Sequence, residues 1–377
     1  MDATALRNVF GSDRLSPDVT ANAGFRFADA FKPLPPPTGS YPFRLDLKDL
    51  LGADENARIL CAGRMRLHTV GDTGNSKYGA DAQDSVAYHM EQQLAQTDTD
   101  GCSFFYHLGD VVYFNGERRD YEPQFYEPYL HYTAPIVSIA GNHDAANVAG
   151  EYSLQGFVEN FCDTQPRHTW MAGESNRTTM VQPNVYWTLT TPVVRIIGLY
   201  SNVPGQLDKH DTQQQDWLTT ELIAARNERC VIITVHHPPY SLDDTHGGYP
   251  VIESALNQAY ASANRIPDLV LNGHIHNYQR FEKSFNGVVR PLTYAVAGAG
   301  GYAGYTALHK LKTLNHPDPN VTLVAHNTDL PGFLRLTIDH DAITGEYFTV
   351  PRPPYHNDPG HPATLFETFR IPLGAGA

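Results

Sequence analysis

Five short stretches of the chain carry side chains able to hold metal ions. They are Gly71-Asp72-Thr73-Gly74, Gly109-Asp110-Val111-Val112-Tyr113, Gly141-Asn142-His143-Asp144, His236-His237-Pro238-Pro239 and Gly273-His274-Ile275-His276. Between them they offer two carboxylates, an amide oxygen, three imidazoles and a phenol, a donor set that suits a pair of hard-to-borderline metal ions. A glycine beside a ligand allows a turn tight enough to aim the next side chain at the metal. Each stretch alone has a plainer reading: Gly-Asp is a common turn, Gly-Asn-His-Asp a capped loop, and His-x-His is often found on a surface. Five of them in this order, each behind a predicted strand, favour a metal site over five coincidences.

The elements that must position these groups are legible in the apolar pattern. Short runs at Leu67–Val70, Ser103–Leu108, Pro135–Ala140, Val193–Leu199, Val231–Val235, Leu269–Leu271 and Leu292–Val296 have the length and β-branched content of strands. Helical spacing appears over Ala82–Thr97, with Val86, Met90 and Leu94 on one face. It appears again over Thr212–Asn227, with Leu218, Leu222 and Ala225 behind a possible capping box of Asp211 and Gln214. Strands alternating with helices early in the chain and strand-rich sequence later imply an α/β layered domain rather than a pure β-sandwich. In open α/β sheets, ligands collect at the C-terminal ends of the strands, where all five motifs fall. Residues 1–60 are polar and irregular and contain Lys32-Pro33-Leu34-Pro35-Pro36-Pro37-Thr38-Gly39, which reads as an extended, Pro-rich N-terminal arm. Residues 61–377 are then a single catalytic domain, its tail ending in a last strand near Thr368–Pro372.

Composition sets outer bounds. The 377 residues carry a formal charge of −14, which argues against a protein built to grip nucleic acid or an anionic membrane. Hydrophobic residues at 41% are enough for a real core, so a disordered chain is excluded. The apolar runs are all too short to span a bilayer. The start, Met1-Asp2-Ala3-Thr4-Ala5-Leu6-Arg7, lacks the pattern of a secretory signal, and the compartment stays open. Cys61, Cys102, Cys162 and Cys230 form no CxxC pair, which excludes a zinc ribbon, and Cys102 and Cys230 read as buried free thiols. The chain's 18 histidines are many for its size and point to metal or acid–base chemistry.

The ordered motif set resembles the calcineurin-like metallophosphoesterases and, within them, the purple acid phosphatases. Gly71-Asp72-Thr73-Gly74 is similar to that group's Gly-Asp-x-Gly, and Tyr113 stands three residues after Asp110, as the group's tyrosine does. Gly273-His274-Ile275-His276-Asn277-Tyr278-Gln279-Arg280 resembles its Gly-His-Val-His-x-Tyr-Glu-Arg, and Ala297-Gly298-Ala299-Gly300 its following glycine-rich turn. The resemblance runs from about Val70 to about Gly301 and implies a four-layer α-β-β-α sandwich with a binuclear site at the strand C-termini. It implies that Asp72, Tyr113 and His276 bind Fe(III), that Asn142, His236 and His274 bind a divalent Fe, Zn or Mn, and that Asp110 bridges them. In the His236-His237 pair the family's His-x-Pro pattern favours His236. The implied activity is that of an acid phosphatase, hydrolysing phosphate monoesters by attack of a metal-bound hydroxide. The alternatives are a phosphodiesterase or nucleotide hydrolase on the same site, and a metal- or phosphate-binding protein without turnover. The expected partners are a small phosphorylated substrate and inorganic phosphate, held by a pocket of local charge about +1 once metals and ligands are counted.

A leaving alkoxide needs a proton. His143, beside a ligand and followed by Asp144, which could fix its tautomer, is the first candidate donor. His246 is the second, because the family carries histidine at about this distance beyond the fourth motif; the plant-type members have a pair there, this chain Thr245-His246. Tyr278 and Arg280 read as scaffold, His68 and His107 as structural, and the remaining histidines as surface.

Overall fold

The computed structural model describes residues 34–74, 80–94, 101–146, 148, 150–201, 207 and 212–374. Two mixed sheets organise them. The first contains β2 (Arg64–Val70), β3 (Phe104–His107), β4 (Ile136–Ser138), β12 (Gly332–Asp339), β13 (Ala342–Thr349) and β14 (Thr364–Pro372), in the order β14-β13-β12-β2-β3-β4. The second contains β1 (Arg44–Asp46), β5 (Trp187–Thr190), β6 (Arg195–Leu199), β7 (Val231–Val235), β8 (Leu269–Asn272), β9 (Tyr278–Lys283), β10 (Leu292–Ala297) and β11 (Val321–Asn327). Its order is β1-β5-β6-β7-β8-β10-β9-β11. This is the expected α/β sandwich.

The strands that deliver the motifs pair in parallel: β2 with β3 and β3 with β4 in one sheet, β6 with β7 and β7 with β8 in the other. Parallel strands are covered on both faces and so read as unbroken apolar runs, which is what made β3, β7 and β8 visible in the sequence. Every residue of those three strands is buried. The sheets meet through side chains such as Tyr106 of β3, whose ring stacks on Trp187 of β5 and whose hydroxyl accepts from Thr234 of β7 at 3.1 Å. Helices α1 (Leu47–Leu51), α2 (Ala53–Ala62), α3 (Asp81–Leu94), α4 (Gln155–Phe161), α5 (Thr212–Ala224) and α6 (Pro250–Ala263) complete the layers, with α5 and α6 packed together. Val86 and Met90 of α3 and Leu218 and Leu222 of α5 are buried, as their spacing requires.

Three expectations change. Residues 44–60 of the expected arm are not extended: β1 pairs with β5, and α1 and α2 bury Leu47 and Ile59 against the core. The part of the Pro-rich stretch before residue 34 lies outside the described residues. Asp211 of the supposed capping box also lies outside them, and Gln214 does different work. It is buried, and its side-chain amide accepts from Tyr200 N at 2.8 Å and donates to Tyr200 O at 2.9 Å. Helix α6 was not expected, although Ile252, Ala255, Leu256, Ala259 and Ala263 recur at helical spacing and are buried. Cys102, Cys162 and Cys230 are buried free thiols, while Cys61 is exposed.

His68 is structural, as expected: on β2 it is wholly buried, with Nδ1 3.0 Å from the Tyr132 hydroxyl and Nε2 3.0 Å from Gln93 Oε1. Burial, aided by the charge of Arg335, pushes it down to about 3. Unfolding would return it to about 6.5, so the unfolded chain binds the extra proton between those values and stability falls as pH drops through that window. In urea titrations, His68→Gln should therefore flatten the acid slope of stability between about pH 6 and pH 4, by up to about 1.4 kcal/mol per pH unit. An unchanged slope would mean that His68 is protonated in the folded protein.

Candidate metal centre

The site straddles both sheets. Asp72, Asp110 and Asn142 follow β2, β3 and β4 of one sheet; His236, His274 and His276 follow β7 and β8 of the other. Cross-loop backbone bonds lock these ends together: Asp72 N to Gly109 O at 3.0 Å, Gly273 N to His236 O at 3.1 Å and Gly71 N to Ala297 O at 2.9 Å. Asp72, Asp110 and His274 each adopt a positive φ, of 59°, 53° and 70°. Glycine precedes all three, and Gly109 itself has a φ of 94°, but in each turn the ligand too adopts the left-handed conformation. What the glycines supply is room. A Cβ on Gly141 would lie 2.0 Å from Asp110 Oδ1, and one on Gly109 would lie 2.7 Å from His236 Nδ1.

The seven residues named from the sequence as ligands converge. Each carboxylate has one oxygen tied to a backbone amide and the other turned to its fellow donors. Asp110 Oδ1 accepts from His143 N at 2.8 Å, while Oδ2 lies 3.2 Å from both His236 Nε2 and the Tyr113 hydroxyl. Asp72 Oδ2 accepts from His274 N at 2.8 Å, while Oδ1 lies 3.2 Å from the Tyr113 hydroxyl and 3.6 Å from His276 Nε2. Asn142 Oδ1 lies 3.2 Å from His236 Nε2 and 2.9 Å from His274 Nδ1. The outward ring nitrogens are held too: His236 Nδ1 by the Leu108 carbonyl at 2.8 Å, and His274 Nε2 by the Tyr249 hydroxyl at 2.5 Å. Such outer bonds orient metal-ligating imidazoles.

The electrostatics of this cluster call for cations. Burial, and then the charge of Asp110, raise Asp72 well above the carboxylate range, although His236 opposes this. Burial would raise Asp110 as well, but the imidazoles of His236 and His143 hold it low. Burial and the charges of Asp110 and Asp72 push the Tyr113 phenol far up, and burial with neighbouring imidazoles drives His274 and His276 far down. The donor spacings of 2.9–3.6 Å match the edges of a coordination shell with bonds of about 2.1 Å. The residues present fit a metal pair. Donor atoms of Asp110, His236 and His274 all lie within 4.8 Å of one another.

His237 is not among the facing donors: its Nδ1 lies 2.9 Å from Ser201 Oγ and its ring packs on Tyr249 and His274. Tyr278 and Arg280 are scaffold, both bonding Glu367 of β14. His107 is structural, with Nε2 2.9 Å from Thr73 Oγ1. His143 lies beside Tyr113, with ring centroids 4.3 Å apart, and donates through Nδ1 to the Phe114 carbonyl at 2.7 Å. Asp144 therefore does not fix the His143 tautomer. Its oxygens accept the amides of Val111, Val112 and Gly141, tying the second motif to the third. His246 is buried beside His274, with centroids 5.1 Å apart.

Two more residues belong to the site. Tyr302, just past the glycine-rich turn, stacks on Tyr113 at 3.6 Å and 8°. His309, expected on the surface, is largely buried with its ring 4.5 Å from His276. An aromatic in a Gly-rich segment was a signal for Tyr302; His309 had only its residue type. Gly141→Ala tests the close packing. Metal affinity should fall by about tenfold or more with far-UV circular dichroism unchanged; full metal content in the variant would contradict this geometry.

The comparisons with known proteins agree with this arrangement. Purple acid phosphatase 18 of Arabidopsis thaliana is 24% identical over 244 residues, which cover 58% of this chain and 51% of that protein. Purple acid phosphatase 21 of the same plant is 28% identical over 127 residues, covering 31% of this chain and 27% of that protein. The chain thus spans about half the length, or less, of the curated relatives it matches. Among solved structures, purple acid phosphatase PPD1 from yellow lupin (Lupinus luteus) seeds shares the fold with a TM-score of 0.56 at 17% identity, covering 82% of this chain and 54% of that one. GAP50, described as the anchor in the inner membrane complex of Plasmodium, shares it with the same TM-score at 13% identity, covering 82% and 89%. The calcineurin-like phosphoesterase family matches residues 65–278, more than half of the sequence and all five motifs. The chain belongs to the calcineurin-like phosphoesterase family.

Proposed function

We propose that this chain is a binuclear metal-dependent acid phosphatase of the purple acid type, acting on phosphate monoesters. The observation that carries this reading is the position of Tyr113, whose hydroxyl lies within 3.2–3.3 Å of Asp72 Oδ1, Asp110 Oδ2 and His276 Nε2. A phenolate is a hard anionic donor suited to trivalent iron. Asp72, Tyr113 and His276 would hold Fe(III); Asn142, His236 and His274 would hold a divalent Fe, Zn or Mn; and Asp110 Oδ2, close to both groups, would be shared. When bound, the pair supplies Lewis acidity toward phosphoryl oxygens and lowers the pKa of coordinated water.

The chain's own residues orient and protonate. His143 donates through Nδ1 to the Phe114 carbonyl, which leaves Nε2 as its proton-exchanging atom. His246 stands at the other flank, beside His274. Each could deliver a proton to a departing alkoxide, worth about 10²–10⁴ in rate for a positioned acid. Asp144 keeps the Asp110 and Asn142 turns in register. We take the catalytic unit to begin by residue 44 rather than 61, because β1 extends the eight-stranded sheet.

Iron-loaded protein should be pink or purple and should hydrolyse aryl monoesters faster than diesters. Tyr113→Phe should lose the visible band while retaining iron, and Asn142→Ala should lose most of its activity. A colourless wild type with full iron would contradict the assignment of Tyr113. A preference for diesters would replace the monoester reading with that of a phosphodiesterase.

A further inference from the structure

His246 lies on the loop 241–247 that leads from β7 toward α6. The loop is closed by a bridge between Leu242 and Gly247 and pinned to the segment 309–312. Asp243 bridges Leu311, Asp244 N donates to Lys310 O at 2.8 Å, and Lys312 N donates to Leu242 O at 2.8 Å. The same segment is tied to the last metal-site turn: His309 N donates to His276 O at 3.2 Å, and the His309 carbonyl accepts from Asn277 Nδ2 at 3.0 Å. Segment 309–312 therefore splints the His246 loop to the turn that carries His274 and His276.

One carboxylate sits at the centre of this splint. Asp243 Oδ1 accepts the amides of Thr245, at 2.8 Å, and of His246. Its Oδ2 lies 3.2 Å from His309 Nδ1, at ion-pair distance although not aligned as a hydrogen bond, and the Asp243 side chain is fully buried. The His309 ring lies 4.8 Å from that of His246 and 4.5 Å from that of His276. A buried carboxylate is costly unless its oxygens are engaged. Here one oxygen fixes the backbone of His246 and the other faces the ring packed against it.

We propose that Asp243 and His309 are positioning residues that hold the His246 imidazole at the geometry needed to protonate a leaving alkoxide. The inference rests on the phosphatase reading and on His246 as the leaving-group acid. An acid displaced by a fraction of its reach loses most of its effect on poor leaving groups and little on good ones. The test compares metal-loaded wild type, Asp243→Asn, His309→Phe and His246→Ala on an alkyl phosphate and on 2,4-dinitrophenyl phosphate, with metal content measured for each. Both Asp243→Asn, which keeps an acceptor for the two amides, and His309→Phe, which keeps the packed ring, should lower kcat on the alkyl ester about tenfold or more. KM and the dinitrophenyl rate should stay within about twofold, with metal content unchanged. An equal fall on both substrates, or loss of metal from either variant, overturns the positioning role. If His246→Ala itself fails to discriminate between the substrates, the acid assignment of His246 falls first and the inference falls with it. A wild type without phosphatase activity refutes the underlying reading instead.

Discussion

Asp110 Oδ1 accepts the amide of His143 while Oδ2 lies 3.2 Å from His236 and from Tyr113, so a single buried carboxylate joins turns from both sheets. The remainder of the centre is arranged around that contact. The β3 turn cannot move without disturbing the β4 turn, to which Asp144 also straps it, or the β7 turn, whose His236 faces the same oxygen. Two buried carboxylates repel unless positive charge lies between them, and the high Asp72 and low Asp110 express that conflict. Bound cations would relieve it more fully than the neighbouring imidazoles of His236, His143 and His276.

The backbone bears a cost for this convergence. Asp72, Asp110 and His274 hold left-handed conformations that side-chain-bearing residues avoid, at about 1–3 kcal/mol each. The strain persists because the surroundings over-determine it. Buried parallel strands fix the start of each turn, and cross-loop amide bonds fix its end. Gly141 and Gly109 admit Asp110 and His236 at distances that a methyl group would forbid.

This division explains what could be read from the sequence. The parallel core strands were legible because burial on both faces writes them as apolar runs, and the ligands because five motifs punctuate those runs in order. The antiparallel strands β12 and β13 were harder to read, since half-exposed positions interrupt their pattern. The arm was misread beyond residue 43 because β1 and α1 are too short to show a period, and the helical spacing of α2 behind them was passed over. Asp144 was given to His143 by sequence adjacency, whereas its partners are three backbone amides that no residue pattern announces. His309 was missed for the same reason. It reaches the site by pairing of a late loop with the fourth-motif loop, a contact of long sequence separation with no local signature.

The formal net charge of −14 is a sum over the whole chain that includes buried carboxylates such as Asp72 and Asp110, so global charge says little about the substrate of the centre. The most direct measurement of the account is the metal stoichiometry of iron- and zinc-replete protein, with the sites located by anomalous scattering from a crystal. Two ions per chain, with Asp110 touching both and Tyr113 touching one, is the predicted result. A single ion, or a pair that Asp110 does not bridge, would contradict it.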